Sequence, residues 1–381
     1  MQAPRRESYE AVVIGGGLIG LASAWRAAER GLSVLVLERS QPGAGASGVA
    51  AGMLAPVTEA EFGEEALLWL AVASRELWPG FAAELEARTG CSTSFRESGA
   101  LVLASDPDDA RELRRLHDFQ RRLGLDSEWL SPRECRRLEP GLAPRVAGGV
   151  LAHSDAQADP AAVTQALVAA FEGAGGELVS GAAVEAIETA SGRVIGVRLA
   201  GGARVRAGRV VLAAGAWSAA LDPAGQGPPV RPVKGQILEL RVRHGMNEPV
   251  ERIVRSPRCY LVPRGDGRLV LGATVEEQGF DTALTAGGVR QLLEAAWELV
   301  PEIEELVIAH ARVGLRPGSP DNAPLIGPGA VEGLIWASGH HRNGVLLAPI
   351  TARAVAALLT GEPLPDELLP FSPRRFERVP A

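Results

Sequence analysis

The chain has little cysteine and no recognisable metal-binding pattern. Its 381 residues include three cysteines, Cys91, Cys135 and Cys259, which lie far apart and form no CxxC motif. Such an odd and scattered set gives no disulfide framework, so we expect a reduced, cytoplasmic protein. The six histidines show no metal-ligand spacing, and we expect the adjacent His340 and His341 to point to opposite sides of an extended strand. A metal site is therefore not expected.

The sequence also lacks long apolar runs and a basic stripe. No segment is an uninterrupted apolar run of about 18 residues, so no membrane span is predicted. The net charge is -7, and Glu112 and Asp118 interrupt the densest basic stretch, residues 111–122, as on a solvated helix face. Nucleic-acid binding is therefore not expected. The arginine pair at 5–6 could begin a twin-arginine export signal, but acidic residues interrupt that region and a second strand follows it.

A glycine-rich dinucleotide-binding pattern lies near the start of the chain. An apolar strand leads into Gly15-Gly16-Gly17-Leu18-Ile19-Gly20, an Ala-rich helix follows, and a second strand ends at Glu38. Gly15 permits the tight turn, Gly17 lets the backbone approach a pyrophosphate, and Gly20 lets the helix pack closely on the sheet. The helix N-terminus would face the diphosphate, and Glu38 could accept ribose hydroxyls. GxGxxG alone is weak evidence in a chain with 45 glycines, but this strand and helix context makes it specific.

Later segments suggest which dinucleotide is bound. Residues 42–53 are almost all small, as a backbone close to a bulky ligand requires, although a flexible linker is the alternative. A buried strand leads into small residues at 209–215, where Gly215 marks a second point at which the backbone could lie close to the ligand. The same order of strand and glycine returns at 334–339. A nicotinamide Rossmann domain normally completes its second half at once, whereas insertions at 76–145 and 228–312 separate these segments. This spacing favours the longer FAD.

The periodicity gives specific element predictions. Pro79 is expected to end the second predicted helix, and hairpins are predicted over 184–199 and 259–273. The predicted helices are 18–30, 64–77, 107–123, a short helix capped by Ser131 with Pro132 in its first turn, 160–171, 287–300 and 344–359.

The fold class that follows is α/β, a Rossmann-like FAD-binding domain with an antiparallel-sheet α+β substrate domain. The predicted FAD-binding domain is discontinuous and comprises residues 1–75, 146–227 and 313–381. The predicted substrate-binding domain comprises residues 76–145 and 228–312.

Several motifs spread over nearly the whole chain carry a family resemblance. They are Tyr9-Glu10-Ala11-Val12-Val13-Ile14-Gly15-Gly16-Gly17, Ala50-Ala51-Gly52-Met53-Leu54, Pro232-Val233-Lys234-Gly235, Tyr260-Leu261-Val262-Pro263-Arg264, Gly314-Leu315-Arg316-Pro317 and Arg342-Asn343-Gly344-Val345-Leu346-Leu347-Ala348-Pro349. With these motifs the sequence resembles the D-amino-acid oxidase group of FAD-dependent oxidoreductases, and most closely the glycine oxidases of thiamine biosynthesis.

The resemblance implies a set of residues that contact FAD. Val184 enters only in this way, as a backbone contact to the adenine, because its spacing shows only a strand residue. The implied contacts are Leu18, Ile19, Glu38, Arg39, Ala46, Ser47, Ala51, Gly52, Met53, Val184, His340, His341, Arg342, Asn343, Gly344, Val345 and Leu346.

An arginine in a Gly- or Pro-flanked turn is the best candidate to hold a substrate carboxylate, because a guanidinium can make two parallel hydrogen bonds to it. Arg316 and Arg342 both fit, and Arg316 resembles the carboxylate clamp of the family. Tyr260 could donate its hydroxyl to the same carboxylate. The alternatives are a solvated surface turn for Arg316, a solvated helix start for Arg342 and ordinary strand packing for Tyr260.

The resemblance implies FAD-dependent oxidation of glycine or another small amine-bearing acid, such as sarcosine or a small D-amino acid, to an oxo acid, ammonia and hydrogen peroxide. Orientation would carry the catalysis, and no protein acid or base is obligatory. Val275 stands where the family usually has a larger methionine, which leaves the substrate range open. FAD would be non-covalent, since no cysteine follows Cys259 at the position that covalent sarcosine oxidases use.

The expected partners are the small amino acid and oxygen, in a homo-oligomer that is a homotetramer by resemblance. One alternative is an FAD-dependent D-amino-acid dehydrogenase that passes electrons to a non-oxygen acceptor. The absence of a basic amphipathic helix for membrane binding weakens that alternative. The other alternative is a flavin-binding protein without catalysis, against which Arg316, Arg342 and Tyr260 argue.

Overall fold

The computed structural model describes residues 4–225 and 227–376. The predicted FAD-binding domain also includes residues 1–3, 226 and 377–381, which lie outside the described residues. Eighteen strands lie within the described residues. They are β1 Ser8–Ile14, β2 Val34–Glu38, β3 Met53–Leu54, β4 Ala100–Ala104, β5 Glu128–Leu130, β6 Gly148–Ala152, β7 Ala156–Gln157, β8 Glu177–Ser180, β9 Val184–Ala190, β10 Arg193–Leu199, β11 Arg204–Leu212, β12 Arg231–Arg241, β13 Ile253–Arg255, β14 Tyr260–Pro263, β15 Arg268–Gly272, β16 Val307–Gly318, β17 Leu325–Pro328 and β18 Leu334–Ser338.

The same residues form seven α-helices. None of these helices is long and apolar enough to cross a membrane. They are α1 Leu18–Glu29, α2 Glu65–Thr89, α3 Pro107–Arg122, α4 Pro132–Leu138, α5 Pro160–Gly173, α6 Ala286–Leu299 and α7 Ala348–Leu359.

The first sheet has a parallel centre in the order β18-β11-β1-β2-β8, with β17 antiparallel at one edge and the β9–β10 hairpin attached to β11. Its central strands are apolar on both faces, as strands covered on both sides must be. Helices α1, α5 and α7 cover one face through Trp25, Leu167 and Val355, and the hairpin covers the other. The predicted α/β fold class, with a parallel-stranded sheet, is confirmed.

The second sheet has the order β16-β12-β15-β14-β13-β4-β6-β5 and is antiparallel except where β13 pairs with β4. Helix α6 packs on one face through Leu292, Ala296 and Leu299. The opposite face contributes Ile237 and Val262 to a small apolar cluster with Ala51 and Met53. Because side chains alternate along a strand, the even-numbered side chains of β12 point toward α6 and the odd-numbered ones point toward the cluster with Ala51.

Helix α2 corrects one prediction, because it continues through Pro79 to Thr89. An internal proline costs a helix about 3 kcal/mol. Beyond the predicted end of this helix, Trp78, Phe81 and Leu85 are buried in the same apolar core as α1, α5 and α7. The Trp78 indole also donates a hydrogen bond of 2.9 Å to the carbonyl of Leu346. This packing outweighs the proline.

Helix α7 is a second correction, since it begins at Ala348 and residues 344–347, predicted to be helical, form a turn. Residues 341–343 before them form a 3-10 turn. The capping prediction at Ser131 is confirmed, because its side chain and Glu134 form a capping box. The hairpin at 184–199 is also present, with Ser191 and Gly192 at positive φ in its turn.

The sheets do not follow the predicted domain boundaries everywhere. The boundary at 75/76 falls inside α2, and the boundary at 312/313 falls inside β16. Strand β6, assigned to the FAD-binding domain by the boundary at 145/146, pairs with β4 and β5 of the second sheet. Sequence periodicity marks elements but not their partners, so the division into two domains stays a prediction.

Candidate functional site

A cavity of about 740 Å³ lies between the two large sheets. The ends of β1, β2, β11 and β18 open into it, as the carboxyl ends of parallel strands do in open α/β sheets. Residues of β12, β14 and β16 form the opposite wall. A cavity of this size, formed by segments from the whole length of the chain, suits an extended ligand.

Most of the predicted site residues line this cavity, although the contact of each with a ligand stays a prediction. The lining residues are Gly15, Gly17, Leu18, Ile19, Glu38, Arg39, Ala46, Ser47, Ala51, Gly52, Met53, Val184, Gly215, Tyr260, Arg316, His340, His341, Arg342, Gly344 and Val345.

Three predicted residues lie behind the wall instead. A Cβ on Gly20 would lie 2.0 Å from the carbonyl oxygen of Gly15, so this glycine serves the packing of α1 on the turn. Asn343 is buried, and its backbone N–H donates to the carbonyl of His340 at 2.8 Å. Leu346 is buried, and its carbonyl accepts from Ser74 and Trp78. These residues shape the site without lining it.

The turn into α1 fits a diphosphate. Gly15 has φ of 110°, and a Cβ there would lie 2.4 Å from the carbonyl oxygen of Ala213. Gly17 is the N-cap of α1 and offers no side-chain cap, while the Ser47 hydroxyl accepts from the N–H of Leu18 at 3.0 Å. A helix N-terminus facing a cavity without a carboxylate in its first turn is a ready anion site.

Glu38 stands at the end of β2 and fastens the turn. Its carboxylate accepts from the N–H of Gly16 at 2.7 Å and from the N–H of Ser40 at 2.9 Å. It also lines the cavity, so acceptance of a ribose hydroxyl stays a prediction. Sequence reasoning missed Trp217, on whose ring the Arg39 guanidinium lies at 3.5 Å. The aromatic residue two positions after Gly215 was the available signal.

The small-residue segment 51–53 is held by a buried cation that sequence reasoning also missed. The Arg264 guanidinium donates to the carbonyl of Ala51 at 2.7 Å and to that of Ala158 at 3.3 Å. Burial lowers the pKa of Arg264. Gly52 has φ of 75°, and a Cβ there would lie 1.9 Å from the carbonyl oxygen of Ala158. These contacts fix the backbone at Ala51 and Gly52 and argue against the linker alternative there.

Arg316 and Tyr260 line the cavity from strands β16 and β14 of the second sheet. Arg316 lies on β16, and its Nη1 donates to the carbonyls of Lys234 at 3.3 Å and Thr274 at 3.1 Å. Its guanidinium lies against Gly235, where a Cβ would approach Nη1 to within 2.4 Å. Burial raises the pKa of Tyr260, and the nearby Arg316 opposes that effect. A half-buried guanidinium beside a neutral phenol suits a carboxylate.

Arg342 is neither a solvated arginine nor a free one. Its guanidinium forms ion pairs with Glu61 at 2.7 Å, Glu64 at 3.6 Å and Glu59 at 3.7 Å. Glu59 also pairs with Arg255 at 3.2 Å, and both of these residues line the cavity. The acidic segment therefore neutralises Arg342 at the cavity wall. The sequence showed this cluster of acids only as the start of a helix.

The adjacent histidines do not lie on an extended strand, which corrects that expectation. His340 precedes the 3-10 turn, and His341 has φ of 46°. Burial lowers the pKa of His340 to about 3, and burial with nearby arginines lowers that of His341 to about 4. Both imidazoles are neutral at pH 7. Among the described residues, no group of three or more His, Cys, Asp or Glu side chains could hold a metal ion.

Comparison with known proteins agrees with this geometry. The sequence model of the family described as FAD dependent oxidoreductase, abbreviated DAO, matches residues 10–358. The bifunctional protein ThiO/ThiG of Trichormus variabilis is 37% identical over 369 residues, which is 96% of this chain and 55% of that protein. The glycine oxidase of Geobacillus kaustophilus is 36% identical over 369 residues, which is 96% of each chain.

The crystal structure of the Geobacillus kaustophilus glycine oxidase superposes with a TM-score of 0.92 at 35% identity, covering 98% of this chain and 100% of that one. The chain spans about half the length of the bifunctional relatives it matches. The family is FAD dependent, and the uncapped helix, the glycine turn and the small-residue wall fit that cofactor. The chain therefore belongs to the DAO family of FAD-dependent oxidoreductases.

Proposed function

We propose that the protein oxidises glycine or another small amine-bearing acid, such as sarcosine or a small D-amino acid, to an oxo acid, hydrogen peroxide and the free amine, which is ammonia from a primary amine and methylamine from sarcosine. The observation that carries this proposal is the Arg316 guanidinium, held by two carbonyls in the cavity that Tyr260 and segment 51–53 also line. The relatives named glycine oxidase and ThiO support it. The likeness to the bifunctional protein ThiO/ThiG supports a role in supplying thiamine thiazole synthesis.

In this proposal the residues of the chain position the substrate, and the cofactor would carry out the redox chemistry. FAD supplies the two-electron acceptor for the hydride of the substrate Cα, and oxygen then takes those electrons to give hydrogen peroxide. Arg316 and Tyr260 hold the carboxylate so that the Cα hydrogen faces segment 51–53. The amine must be neutral to release the hydride, and the imine product hydrolyses to the oxo acid and the free amine. His340 and His341, neutral at pH 7, impose no charge on this centre.

FAD would be held without a covalent bond, along the residues predicted for it. Its adenosine end would lie by Glu38, Arg39 and Val184, and its flavin by Ala51 to Met53 and His340 to Val345. Cys259 lines the cavity, but burial raises the pKa of its thiol to about 11. The neutral thiol is a poor nucleophile. Denaturation should therefore release all of the yellow chromophore into the supernatant.

Arg342 would support the site from the cavity edge. Because Glu59, Glu61 and Glu64 already engage its guanidinium, its part in carboxylate binding would be smaller than that of Arg316. The two roles separate in a comparison of KM for glycine between Arg316→Ala and Arg342→Ala. A larger rise for Arg342→Ala would reverse the assignment.

The test of the whole proposal is a peroxide assay on the purified yellow protein with glycine, sarcosine, D-alanine and D-proline. Glycine turnover with equal oxygen uptake and peroxide release supports it. Bleaching of the flavin by these amines without oxygen uptake would favour the D-amino-acid dehydrogenase alternative. If no amine bleaches the flavin under anaerobic conditions, a non-catalytic flavin protein is favoured.

A cytoplasmic homo-oligomer, a homotetramer by the resemblance, completes the proposal. Strand β16 is an edge of its sheet and carries the exposed apolar residues Val307 and Ile308, and exposed apolar edges are normally covered. Light scattering of the purified protein measures the molecular mass. A monomer would contradict this part alone.

A further inference from the structure

The chain contains one lysine, Lys234, among 39 Lys and Arg residues. This side chain is 1% exposed, which is unusual for a residue type that is rarely buried unless it is paired. It lies on β12 and points away from the cavity, since the odd-numbered residues Gly235 and Ile237 of that strand line it. No step of the proposed reaction uses it.

The buried ammonium fastens a surface segment, residues 274–285, which joins β15 to α6 and is here termed the strap. Lys234 Nζ lies 2.5 Å from the Asp281 carboxylate and 3.7 Å from that of Glu276. The backbones of Lys234 and Glu276 also pair, with N–H to carbonyl distances of 2.9 and 3.0 Å. The hydrogen bond to Asp281 raises the pKa of Lys234, so the ammonium stays charged.

A neighbouring side chain of β12 completes the fastening. Gln236 donates to the Glu276 carboxylate at 2.8 Å and accepts from the N–H of Thr285 at 2.9 Å. The Thr274 hydroxyl donates to Glu276 at 2.5 Å and accepts from the N–H of Gln236 at 2.9 Å. Both ends of the strap are thus tied to β12. Lys234 supplies the buried ammonium of this network.

The carbonyls that hold Arg316 belong to this same network. One is the carbonyl of Lys234, which also accepts from the N–H of Glu276, and the other is that of Thr274, the first residue of the strap. The Arg316 guanidinium therefore lies between β12 and the strap, on the cavity side. A change in their separation changes the direction in which its remaining N–H groups point.

A lysine suits this location better than an arginine. The ammonium is a compact point charge with three donors, whereas a guanidinium is a planar fork with five donors. Two carboxylates and a narrow buried position satisfy the smaller group. The other 38 of the 39 Lys and Arg residues are arginines, so the one lysine coincides with a site that suits the compact cation.

We propose that Lys234 is a positioning residue for Arg316, because its ion pairs with Asp281 and Glu276 hold the strap at the distance from β12 that aims the guanidinium into the cavity. This inference rests on the proposed carboxylate-binding role of Arg316. It predicts that loosening the strap weakens carboxylate binding and leaves the chemical step unchanged.

The first experiment measures KM and kcat for glycine, and the affinity for acetate from the flavin spectrum, in Lys234→Met, Asp281→Asn and the double variant. We expect KM for glycine and the acetate dissociation constant to rise about tenfold in each single variant, with kcat within twofold. The double variant should be no worse than Lys234→Met, because that single variant already removes the ion pair with Asp281. Asp281 is 46% exposed, so its variant folds even if Lys234→Met does not.

The matched control is Glu277→Gln, on the same strap. Glu277 is exposed and pairs with Arg231 at 3.2 Å, away from Lys234. Its variant should keep wild-type KM. An equal rise of KM in Glu277→Gln and Asp281→Asn would overturn the inference, since any strap substitution would then act alike.

Arg316→Ala separates the two proposals. If Arg316→Ala raises KM while Lys234→Met and Asp281→Asn do not, the inference is overturned and the proposed function stands. If Arg316→Ala leaves KM and acetate binding unchanged, the role of Arg316 is wrong and the inference falls with it.

A second readout needs no catalysis, because an amine reagent has one lysine to modify. Acetylation of the holoenzyme by acetic anhydride, followed by mass spectrometry of the Lys234 peptide, should proceed at less than a tenth of the rate in the denatured chain. Asp281→Asn should raise that rate, and acetate should lower it in the wild type through Arg316. Rapid acetylation of Lys234 in the wild type, or no response to Asp281→Asn, would overturn the fastening role.

Discussion

Replacing Asp155 with asparagine tests how the wall of the cavity is anchored. Asp155 is fully buried, and its carboxylate accepts from the N–H of Val57 at 3.1 Å, the N–H of Thr58 at 3.0 Å and the Thr58 hydroxyl at 2.7 Å. Glu59, which follows Thr58 in the chain, lines the cavity and forms an ion pair with Arg255. Asp155 therefore holds the segment that brings Glu59 to the wall.

The magnitude follows from the ionisation of this group. Burial raises the pKa of Asp155 to about 6, against about 3.9 in an unfolded chain. The folded state binds the proton more tightly, so its stability falls as pH rises from about 4 to 6 and is constant above that. The whole difference is about 3 kcal/mol, of which about 1.4 kcal/mol falls between pH 5 and pH 8.

Asparagine removes this ionisation and leaves one carbonyl oxygen for three donors. The lost acceptor costs about 1–3 kcal/mol at every pH. The wild type should therefore lose about 1.4 kcal/mol relative to Asp155→Asn between pH 5 and pH 8. With an unfolding entropy of about 2.1 cal/mol/K per residue, this is a change of about 2 °C in the difference between their melting midpoints.

The assay is thermal unfolding of both holoenzymes at half-unit steps from pH 5 to pH 8. Taking the difference at each pH cancels every other titrating group. Asp126→Asn, at an exposed position shortly after α3, is the control, and its difference from wild type should stay flat. A flat difference for Asp155→Asn as well would refute the reasoning, because Asp155 would then carry no proton near pH 6.

Three further predictions concern the cavity itself. Arg316→Lys keeps the charge but loses the guanidinium fork, so KM for glycine in the peroxide assay should rise about 10- to 100-fold with kcat little changed, and a rise below threefold would contradict the clamp. Gly52→Ala places a Cβ 1.9 Å from the carbonyl oxygen of Ala158 at positive φ, so the purified protein should carry less than a tenth of the wild-type flavin. Gly63→Ala, also at positive φ but in open space, should stay fully yellow. Val275 lines the cavity, so Val275→Met should narrow it and lower kcat/KM for D-alanine relative to glycine about tenfold, and an unchanged ratio would exclude Val275 from substrate selection.

The parts of the fold that sequence predicted best are those fixed by local rules. The glycine turn, the hairpin at 184–199 and the cap at Ser131 each depend on residues within a few positions of one another. Helix α2 was missed beyond Pro79 because its stability there comes from Trp78 and other distant packing, which overrides the local cost of proline.

The site shows the same limit. Arg316 and Tyr260 could be selected as candidates because a guanidinium and a phenol are the groups that bind carboxylates. The partners of Arg342 could not, since Glu59, Glu61 and Glu64 meet it only after folding. Residue types reveal what a side chain can bind, whereas the fold decides which partner it has already found.

The position of β11 in the first sheet has a consequence for synthesis on the ribosome. Ser8 of β1 pairs with Arg206 of β11, so about 200 residues must be added before the central strand gains its second neighbour. At about 5–20 residues per second this takes roughly 10–40 s. During that interval the apolar edge of β1 is open to other chains. A nascent chain stalled before residue 204 would therefore be a substrate for chaperones rather than a partly active enzyme.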